Sequence, residues 1–577
     1  MKKLFIYLRD YRKECVLAPL FKMLEACFDL AVPLVVASII DRGIPEGNVG
    51  HIVRMALLLV LLAMVGLSAA MTAQYFSAKA ATGFAAKLRR ALMAHIQTLG
   101  YEELDRQGTS TLITRMTSDV NQLQSGVNMA LRLLLRSPFV VFGAMIMAFT
   151  IDTRSALLFA AAIAVLFVIV FAITLVTIPM YRRVQGQLDG VTKATRENLT
   201  GVRVLRAFGK EESEVWRFDY LSCVLQNMQQ ATGRIAAFLN PATSVVINLA
   251  IILLLQTGAV RVNQGALSQG QVVALYNYMG QILVELIKLA NLIVLLTKAW
   301  ACGDRVAQVM EEKPVQQDGS GVLPADAPRG SVMFSHVSFR YAGAGAEALT
   351  DISFTAAPGE TIGIIGGTGS GKSTLVNLNP RFYDVSSGRI LVDGLPVTDY
   401  KMDDLRRRIG VVPQKALLFS GTIRSNLLWG GEADDAVLTE AVQTAQASDI
   451  LKAKAGGLDE PVEQGGRNFS GGQKQRLTIA RALTRKPEIL ILDDSASALD
   501  YATDAALRRA IRQRPDAPTT FIVSQRTASV RFADRILVLD DGRLVGMGSH
   551  DELLASCPLY REIHESQFGG EEAAANG

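Results

Sequence analysis

Cysteine is scarce in this chain. There are five in 577 residues, Cys15, Cys27, Cys223, Cys302 and Cys557, without pairs or metal-type spacing. A disulfide framework and a cysteine-held metal centre are both excluded, and the thiols read as packing residues. A dominant charge is missing too: the formal net charge is only +5, and the basic residues cluster in particular loops, which gives no nucleic-acid surface. The N-terminal stretch lacks a secretory apolar run of sufficient length. Residues 1–13 carry Lys2, Lys3, Arg9, Arg12 and Lys13 and read as an amphipathic segment along the inner membrane surface.

What the chain does have is apolar residues, 50% of the total, with a mean hydropathy of +0.25. Two or three domains are expected at this length, at least one of them in lipid. A crossing helix needs roughly 20 mostly apolar residues. Runs of that kind lie at Met55–Ala78, Ser137–Ile151 with apolar residues before it, Ser155–Tyr181 and Ile235–Val260. Two further candidates carry charge. Cys15–Ile40 contains Lys22, Glu25 and Asp29 on one helical face, and Gln271–Thr297 contains Glu285 and Lys288 one turn apart. Glu285 is either the partner of Lys288 near the cytoplasmic end of its helix or a group facing a substrate cavity.

Six crossings place both ends of this region on one side. The segment after the second span carries Lys87, Arg89, Arg90, Arg106 and Arg115, and the one after the fourth carries eight Lys and Arg residues between Arg182 and Arg217. Both are therefore cytoplasmic, as is everything after about Lys298. Bends are expected at Asp105–Ser110 and Thr200–Arg206, although composition alone favours plain solvated loops. A Pro/Gly-rich linker, 311–330, follows, and from Ser331 alternating strand patterns begin an α/β domain reaching about Ser566. The tail, 567–577, is expected to be disordered.

Inside the α/β domain the apolar run Thr361–Ile365 leads into Gly366-Gly367-Thr368-Gly369-Ser370-Gly371-Lys372-Ser373-Thr374 and then a helix. Glycines let successive N–H groups point at an anion, Lys372 reaches the outer phosphates, and the Ser373 hydroxyl sits on Mg²⁺. A nucleoside triphosphate is the implied ligand. A second helix start, Asn468-Phe469-Ser470-Gly471-Gly472-Gln473, has an N-cap serine and bare backbone able to approach a phosphate. The strand Ile489–Leu492 then ends in Asp493 and Asp494, with Asp493 placed to hold Mg²⁺ through water.

This ordered set resembles the ATP-binding cassette (ABC) transporters, and specifically exporter-type half-transporters, over nearly the whole chain. The fold implied is an α-helical transmembrane domain of six helices, 1–310, followed by an α/β P-loop cassette, 331–566. The phosphate loop is similar to the family's Walker A, Ile489–Asp493 to Walker B, and Phe469–Gln473 to the signature that acts on ATP held by a partner chain, with Phe469 where Leu is commoner. Gln414 matches the Q-loop glutamine that touches Mg²⁺ and the reaction centre. Asp500 matches the D-loop aspartate and Tyr341 the aromatic that stacks on adenine. The resemblance also identifies the two cytoplasmic bends with coupling helices.

Two positions depart from the family pattern. Asp494 stands where a catalytic Glu is usual, and Gln525 stands where a switch His is usual. None of the five histidines, His51, His95, His336, His550 and His564, is placed to substitute. A misplacement of about 1 Å can cost on the order of 10²-fold in rate, and loss of a positioned acid–base group about 10²–10⁴-fold. The pattern implies the degenerate half of a heterodimeric exporter in a bacterial-type cytoplasmic membrane, using ATP and Mg²⁺. It would move an amphipathic drug, lipid, peptide or other small molecule, with a second half-transporter as partner, lipid around it and no nucleic acid. A slow homodimeric exporter, a siderophore-type importer on the same fold and an ATP-gated regulatory subunit remain as alternatives.

Overall fold

The computed structural model describes residues 3–324 and 328–567 in full, together with the backbone of Lys2 and of 568–575. Among the described residues, six helical stretches are long and apolar enough to cross a membrane: Lys3–Gly43, Val49–Ile96, Thr109–Ile151, Thr153–Thr200, Glu211–Asn263 and Gln269–Glu311. In chain order the helices of these stretches and of the segments between them are α1 (Arg12–Ser38), α2 (Val49–Ile96), α3 (Tyr101–Gln107), α4 (Thr109–Thr114), α5 (Val120–Leu133), α6 (Arg136–Ile151), α7 (Thr153–Thr200), α8 (Val202–Ala207), α9 (Glu211–Ala237), α10 (Leu239–Asn263) and α11 (Gln269–Glu311).

The chain divides into two compact units. The first comprises Met1–Gln97 and Ser110–Glu312; the second comprises Thr98–Thr109 and Lys313–Gly577. In the first unit α2 and α7 each run 48 residues. At about 1.5 Å per residue each spans about 72 Å, more than twice the roughly 30 Å hydrocarbon core, so both continue beyond the bilayer. Their lipid-level surfaces are apolar, with Leu57, Val60, Leu61 and Met64 exposed. The interior is built from small side chains, Ala26, Ala144, Ala148, Ala156, Ala162, Ala250 and Ala274, around Phe159 and Tyr278. Small residues let backbones approach where lipid supplies no hydrophobic drive for association. Gly143 illustrates the limit, since a Cβ there would meet Leu30 at 2.4 Å.

Prolines lie inside α1, at Pro19 and Pro33, and inside α7, at Pro179, and Pro138 lies in the first turn of α6. The missing N–H of Pro33 deprives the Asp29 carbonyl of its helical donor. The Gln281 side chain supplies one instead, donating to that carbonyl at 3.2 Å, while Tyr278 donates to the Leu30 carbonyl at 2.6 Å. Pro138 does the same to Leu134, and the helix breaks there between α5 and α6. The third span, expected over Ser137–Ile151 with apolar residues before it, lies in the stretch Thr109–Ile151, where α6 begins at Arg136 and α5 precedes it.

Among the described residues the second unit holds three sheets. A four-stranded antiparallel sheet has the order β2-β1-β4-β5, with β1 (Val332–Phe339), β2 (Leu349–Ala356), β4 (Ser387–Val392) and β5 (Leu395–Pro396). A six-stranded sheet has the order β12-β11-β3-β10-β9-β6, with β3 (Thr361–Gly366), β6 (Ile409–Val412), β9 (Ile489–Asp493), β10 (Thr519–Val523), β11 (Arg535–Asp540) and β12 (Arg543–Gly548). All its pairings are parallel except β11 with β12. A short ribbon pairs β7 (Gly421–Thr422) with β8 (Pro461–Val462). The continuous apolar runs of β3, β9 and β10 follow from burial on both faces, and ligands on such sheets gather at the carboxyl ends of the strands.

The segment Thr98–Thr109 is covered within the second unit. Tyr101 packs on Phe382 at 4.5 Å between ring centroids and on Tyr383 at 6.0 Å, Asp105 accepts from the Tyr383 hydroxyl at 2.7 Å, and Glu103 accepts from the Val315 N–H at 2.9 Å. The short helix lies at Tyr101–Gln107 and so precedes most of the bend expected at 105–110. Gly108, at φ 73°, takes the left-handed backbone that ends helices. Aromatic contacts of this kind contribute about 0.5–1.5 kcal/mol each beyond burial. Tyr101→Ala is therefore expected to weaken this docking by roughly 1–3 kcal/mol, or about 5- to 150-fold, measured as lost hydrogen-exchange protection of the α3 amides.

In the other cytoplasmic segment, α8 begins two residues into the expected bend and has no buried residue; Leu199, Val204 and Phe208 around it are exposed. The linker region from Glu312 to Gly330 has no helix or strand among its described residues, and 325–327 lie outside them. The expected disordered tail, 567–577, is helical in backbone as far as Ala575; its last two residues, and its side chains from 568, lie outside the described residues.

Candidate functional site

At the carboxyl end of β3 the backbone turns through Gly366, Gly369 and Gly371, at φ 157°, 85° and 94°, into α12 (Lys372–Leu378). Two of these positions exclude any side chain: a Cβ at Gly366 would meet the Leu539 carbonyl at 2.1 Å, and one at Gly371 the Ala348 carbonyl at 2.8 Å. A cavity of about 330 Å³ opens over this turn. It is lined by Thr368, Gly369 and Gly371–Thr374 from the turn, Tyr341, Gln414, Asp493 and Asp494 from neighbouring elements, and Val523–Gln525 at the end of β10. Residues more than 150 positions apart in sequence thus meet in one place.

Lys372 is 8% exposed. Its ammonium donates to the Gly366 carbonyl at 2.9 Å and the Gly367 carbonyl at 2.5 Å, with the Ser370 hydroxyl at 3.4 Å. These acceptors are neutral, and burial pushes the Lys372 ammonium below the ordinary lysine range, opposed by the charges of Asp494 and Asp493. A half-desolvated cation with only neutral partners, beside a glycine cradle no side chain can enter, fits a polyphosphate. Ser373 donates to Asp493 at 2.9 Å. Burial raises the Asp493 carboxyl above the usual carboxylate range and Asp494 adds to this, while Ser373 and Lys372 oppose it. Ser373, Asp493 and the side-chain oxygen of Gln414 are all hard donors, few in number. That set suits Mg²⁺, which keeps several waters and shares its shell with phosphate.

Asp494 leaves β9 in left-handed backbone, φ 47°, a geometry Asp tolerates better than most residues. Its N–H donates to the Val523 carbonyl at 3.0 Å, its carbonyl accepts from the Ser497 hydroxyl at 2.8 Å, and its carboxylate accepts from Gln414 at 3.3 Å. Tyr341 shares a 3.0 Å hydrogen bond with Thr374 and packs edge-on against Phe339 and Tyr383. Gln525 is exposed at the rim. Its carbonyl accepts from Gln567 at 2.8 Å, and the same Gln567 accepts from the Thr527 N–H and hydroxyl, both at 2.9 Å. No local pattern signals this tie, because Gln567 stands where composition reads as an unstructured tail.

The other expected site residues lie off this cavity. Phe469 is a core residue, 5% exposed, with the Lys454 ammonium 5.3 Å from its ring centroid. Ser470 caps the helix Gly471–Thr484 through a reciprocal pair with Gln473, at 3.3 and 3.0 Å. A Cβ at Gly471 would meet nothing within 4 Å, whereas one at Gly472 would meet the Ala498 carbonyl at 3.0 Å. This helix start is thus open to solvent within its own chain. Asp500 caps Tyr501–Arg512 through Thr503 at 2.9 and 2.8 Å. Glu285 belongs to the first unit, is 4% exposed, and bonds Lys288 at 2.9 Å but also Arg136 at 2.5 Å and Ser137 at 2.7 Å.

Comparison with known proteins agrees with this architecture. Residues 15–286 match the ABC transporter transmembrane region, and residues 349–497 match the ABC transporter cassette family. Over 568 residues, 97% of each chain, the sequence is 37% identical to an ABC transporter ATP-binding protein of Mycobacterium tuberculosis. It is 32% identical over 579 residues, 99% of this chain and 97% of the relative, to the ATP-dependent lipid A-core flippase of Hahella chejuensis. A solved bacterial Atm1-family ABC exporter with ATP bound shares the fold, with TM-score 0.80 at 24% identity over 96% of this chain and 97% of that one. Full-length coverage at this identity, with six membrane helices ahead of a single cassette, means that the chain belongs to the ABC transporter family as an exporter-type half-transporter with its cassette in the cytoplasm.

Proposed function

We propose that this chain is the ATP-holding, weakly hydrolysing half of a heterodimeric exporter, and that its Phe469–Gln473 segment completes a competent site on a different chain. ABC exporters work as dimers in lipid and couple ATP hydrolysis to transport, so the question is how the work divides between two chains. The observation that carries the reading is the lining of the nucleotide cavity, which includes Asp494 and Gln525 but no histidine. Everything that grips is present. The phosphate loop and Lys372 hold the phosphates, Tyr341 takes the base, and Ser373, Asp493 and Gln414 hold Mg²⁺, which neutralises phosphate charge when bound.

The groups that would cut are weak. The Asp494 carboxylate is one methylene short of a glutamate and is already engaged by Gln414. Gln525 can hydrogen-bond a terminal phosphate but can neither carry a proton nor become cationic. The Ser470 helix start, by contrast, is well capped and uncovered, as a surface offered to another chain's nucleotide would be. The bare apolar tip around α8 likewise supports a second chain. An amphipathic cargo is supported by the likeness to a lipid A-core flippase.

The test is to compare the chain purified alone with the chain co-purified with its natural companion. Alone, hydrolysis is expected to be at least about 10²-fold slower than in the complex, while ATP still binds. Fast, vanadate-trappable turnover in both pockets of a self-paired chain would overturn the proposal in favour of a homodimeric exporter.

A further inference from the structure

A second cavity, of about 530 Å³, lies in the first unit among α1, α6, α10 and α11, with Asp29, Arg136, Tyr276, Asn277, Gln281 and Lys288 in its lining. Its depth can be read from the helix ends. Asp29 precedes Gly43, Arg136 precedes Ile151 and Glu285 follows Gln269. At about 1.5 Å per residue all three sit about 21–24 Å below the outer ends, within the inner half of a roughly 30 Å hydrocarbon core. Three helices from distant parts of the sequence thus place ionisable groups in one layer. Charge at that depth is expensive unless it is paired or faces a cavity.

Most of the charge in this layer is consumed internally. Lys22 pairs with Glu25 at 2.5 Å, and Arg136 bonds Glu285 at 2.5 Å and Asp29 at 2.9 Å, with Glu25 at 3.7 Å. Lys288 bonds Glu285 at 2.9 Å. Three cations therefore face three carboxylates, and the cluster is neutral as it stands. Its members are not equally covered. The Glu285 and Arg136 side chains are 5% and 11% exposed, whereas those of Asp29 and Lys288 are 46% and 43% exposed, and both of these line the cavity. Buried Nε of Arg136 and buried Oε1 of Gln281, on two of the lining residues, have no hydrogen-bond partner. Pro33 and Pro138 fall within one turn of Asp29 and Arg136, so a helical hydrogen bond is missing beside each, and the backbone breaks between α5 and α6. Irregular backbone at membrane depth is tolerated where it is buried in protein or lines a cavity.

We propose that this cavity is the headgroup site for the exported molecule and that it takes a zwitterion, with the ligand's ammonium against Asp29 and its anionic end against Lys288. The inference rests on the exporter reading above. A ligand with net charge would unbalance a neutral cluster in a low-dielectric layer, whereas a zwitterion meets the two most exposed members of that cluster, Asp29 and Lys288, each already holding one partner, Arg136 and Glu285, and leaves the sum unchanged. An amino-phosphate headgroup on a lipid and the free termini of an apolar peptide share this chemistry.

The experiment uses the full-length chain in phosphatidylglycerol nanodiscs without nucleotide. Four probes are compared: lysophosphatidylethanolamine, its N-acetyl derivative, leucyl-phenylalanine and N-acetyl-leucyl-phenylalanine. At least one free-amine form is expected to bind about tenfold or more tightly than its acetylated form. The lipid pair showing the preference indicates a headgroup, and the peptide pair indicates a free molecule. Asp29→Asn should erase the preference for the amine. Lys288→Gln should weaken both members of the pair alike and keep the preference. A purely structural role for Asp29 would instead weaken free and acetylated forms equally in Asp29→Asn and keep the preference. Equal binding of free and acetylated forms, or a preference that survives Asp29→Asn, overturns the site. Preference without ATP-driven movement of the same probe in proteoliposomes containing the companion chain would leave the site standing and count against export. Export of either probe without the preference would do the reverse.

Discussion

Ser470→Arg, placed in this chain and assayed in the complex with its companion, should remove nearly all ATP hydrolysis, whereas Lys372→Ala should leave a substantial part. Ser470 closes the start of the helix Gly471–Thr484 by exchanging hydrogen bonds with Gln473. Loss of such a cap costs about 0.5–2 kcal/mol, too little to unfold a cassette whose core is built elsewhere. The larger effect is steric. The backbone at Ser470 and Gly471 is uncovered, and a long side chain there holds off a phosphate that would otherwise touch main-chain N–H groups. Removing preorganised donors of this type costs on the order of 10²–10³-fold in turnover. On the proposed division of work, Lys372 acts on the other nucleotide, the one this chain itself would hold. Its removal should weaken ATP labelling of this chain while hydrolysis of the complex persists within about tenfold. Steady-state ATPase and photolabelling of each chain measure both effects, with Ser470→Ala as the control for the lost cap. The opposite ranking would put the productive pocket on this chain.

Restoring both departures should have the converse effect. Asp494→Glu together with Gln525→His is expected to raise turnover in this chain's own pocket by about 10²-fold or more. The backbone of Asp494 is fixed by Val523 and Ser497, so an added methylene carries the carboxylate about 1.5 Å further out, toward the cavity. The side chain at 525 lies at the rim, and its carbonyl is tied to Gln567, so an imidazole can replace the amide without refolding the loop. It supplies a group that titrates near neutrality, which the amide lacks. The assay belongs in a complex whose companion has lost its own catalytic carboxylate, so that only this pocket is read. No gain there would mean that the two residues do not limit the rate.

Much of this was legible in the sequence because it depends on local pattern. The phosphate loop needs glycine where its backbone turns left-handed or meets another chain segment, and Gly366 and Gly371 meet those demands. Six apolar runs gave the spans for the same reason. The Arg136 cluster was not legible. Its partners lie 107 and 149 residues away, and a hydropathy reading places a span boundary just where the cation begins, at Ser137. Local pattern registers a charge as a cost and does not see it neutralised by another helix. The helix at Tyr101–Gln107 was displaced in the reading because polar residues around Gly108 look like a bend, whereas Gly108 only ends the helix. Gln567 was missed because a side chain in a weakly patterned tail gains its role from the loop it touches.

The uncovered tip around α8 also bears on how much of the protein a cell can keep. Leu199, Val204 and Phe208 are exposed to solvent within this chain. Greasy, accessible backbone of this kind is what proteolytic surveillance cuts first. If the chain pairs as proposed, a copy without its companion would keep this surface exposed and be removed first, so the ratio of the two chains would be set after translation as well as by synthesis.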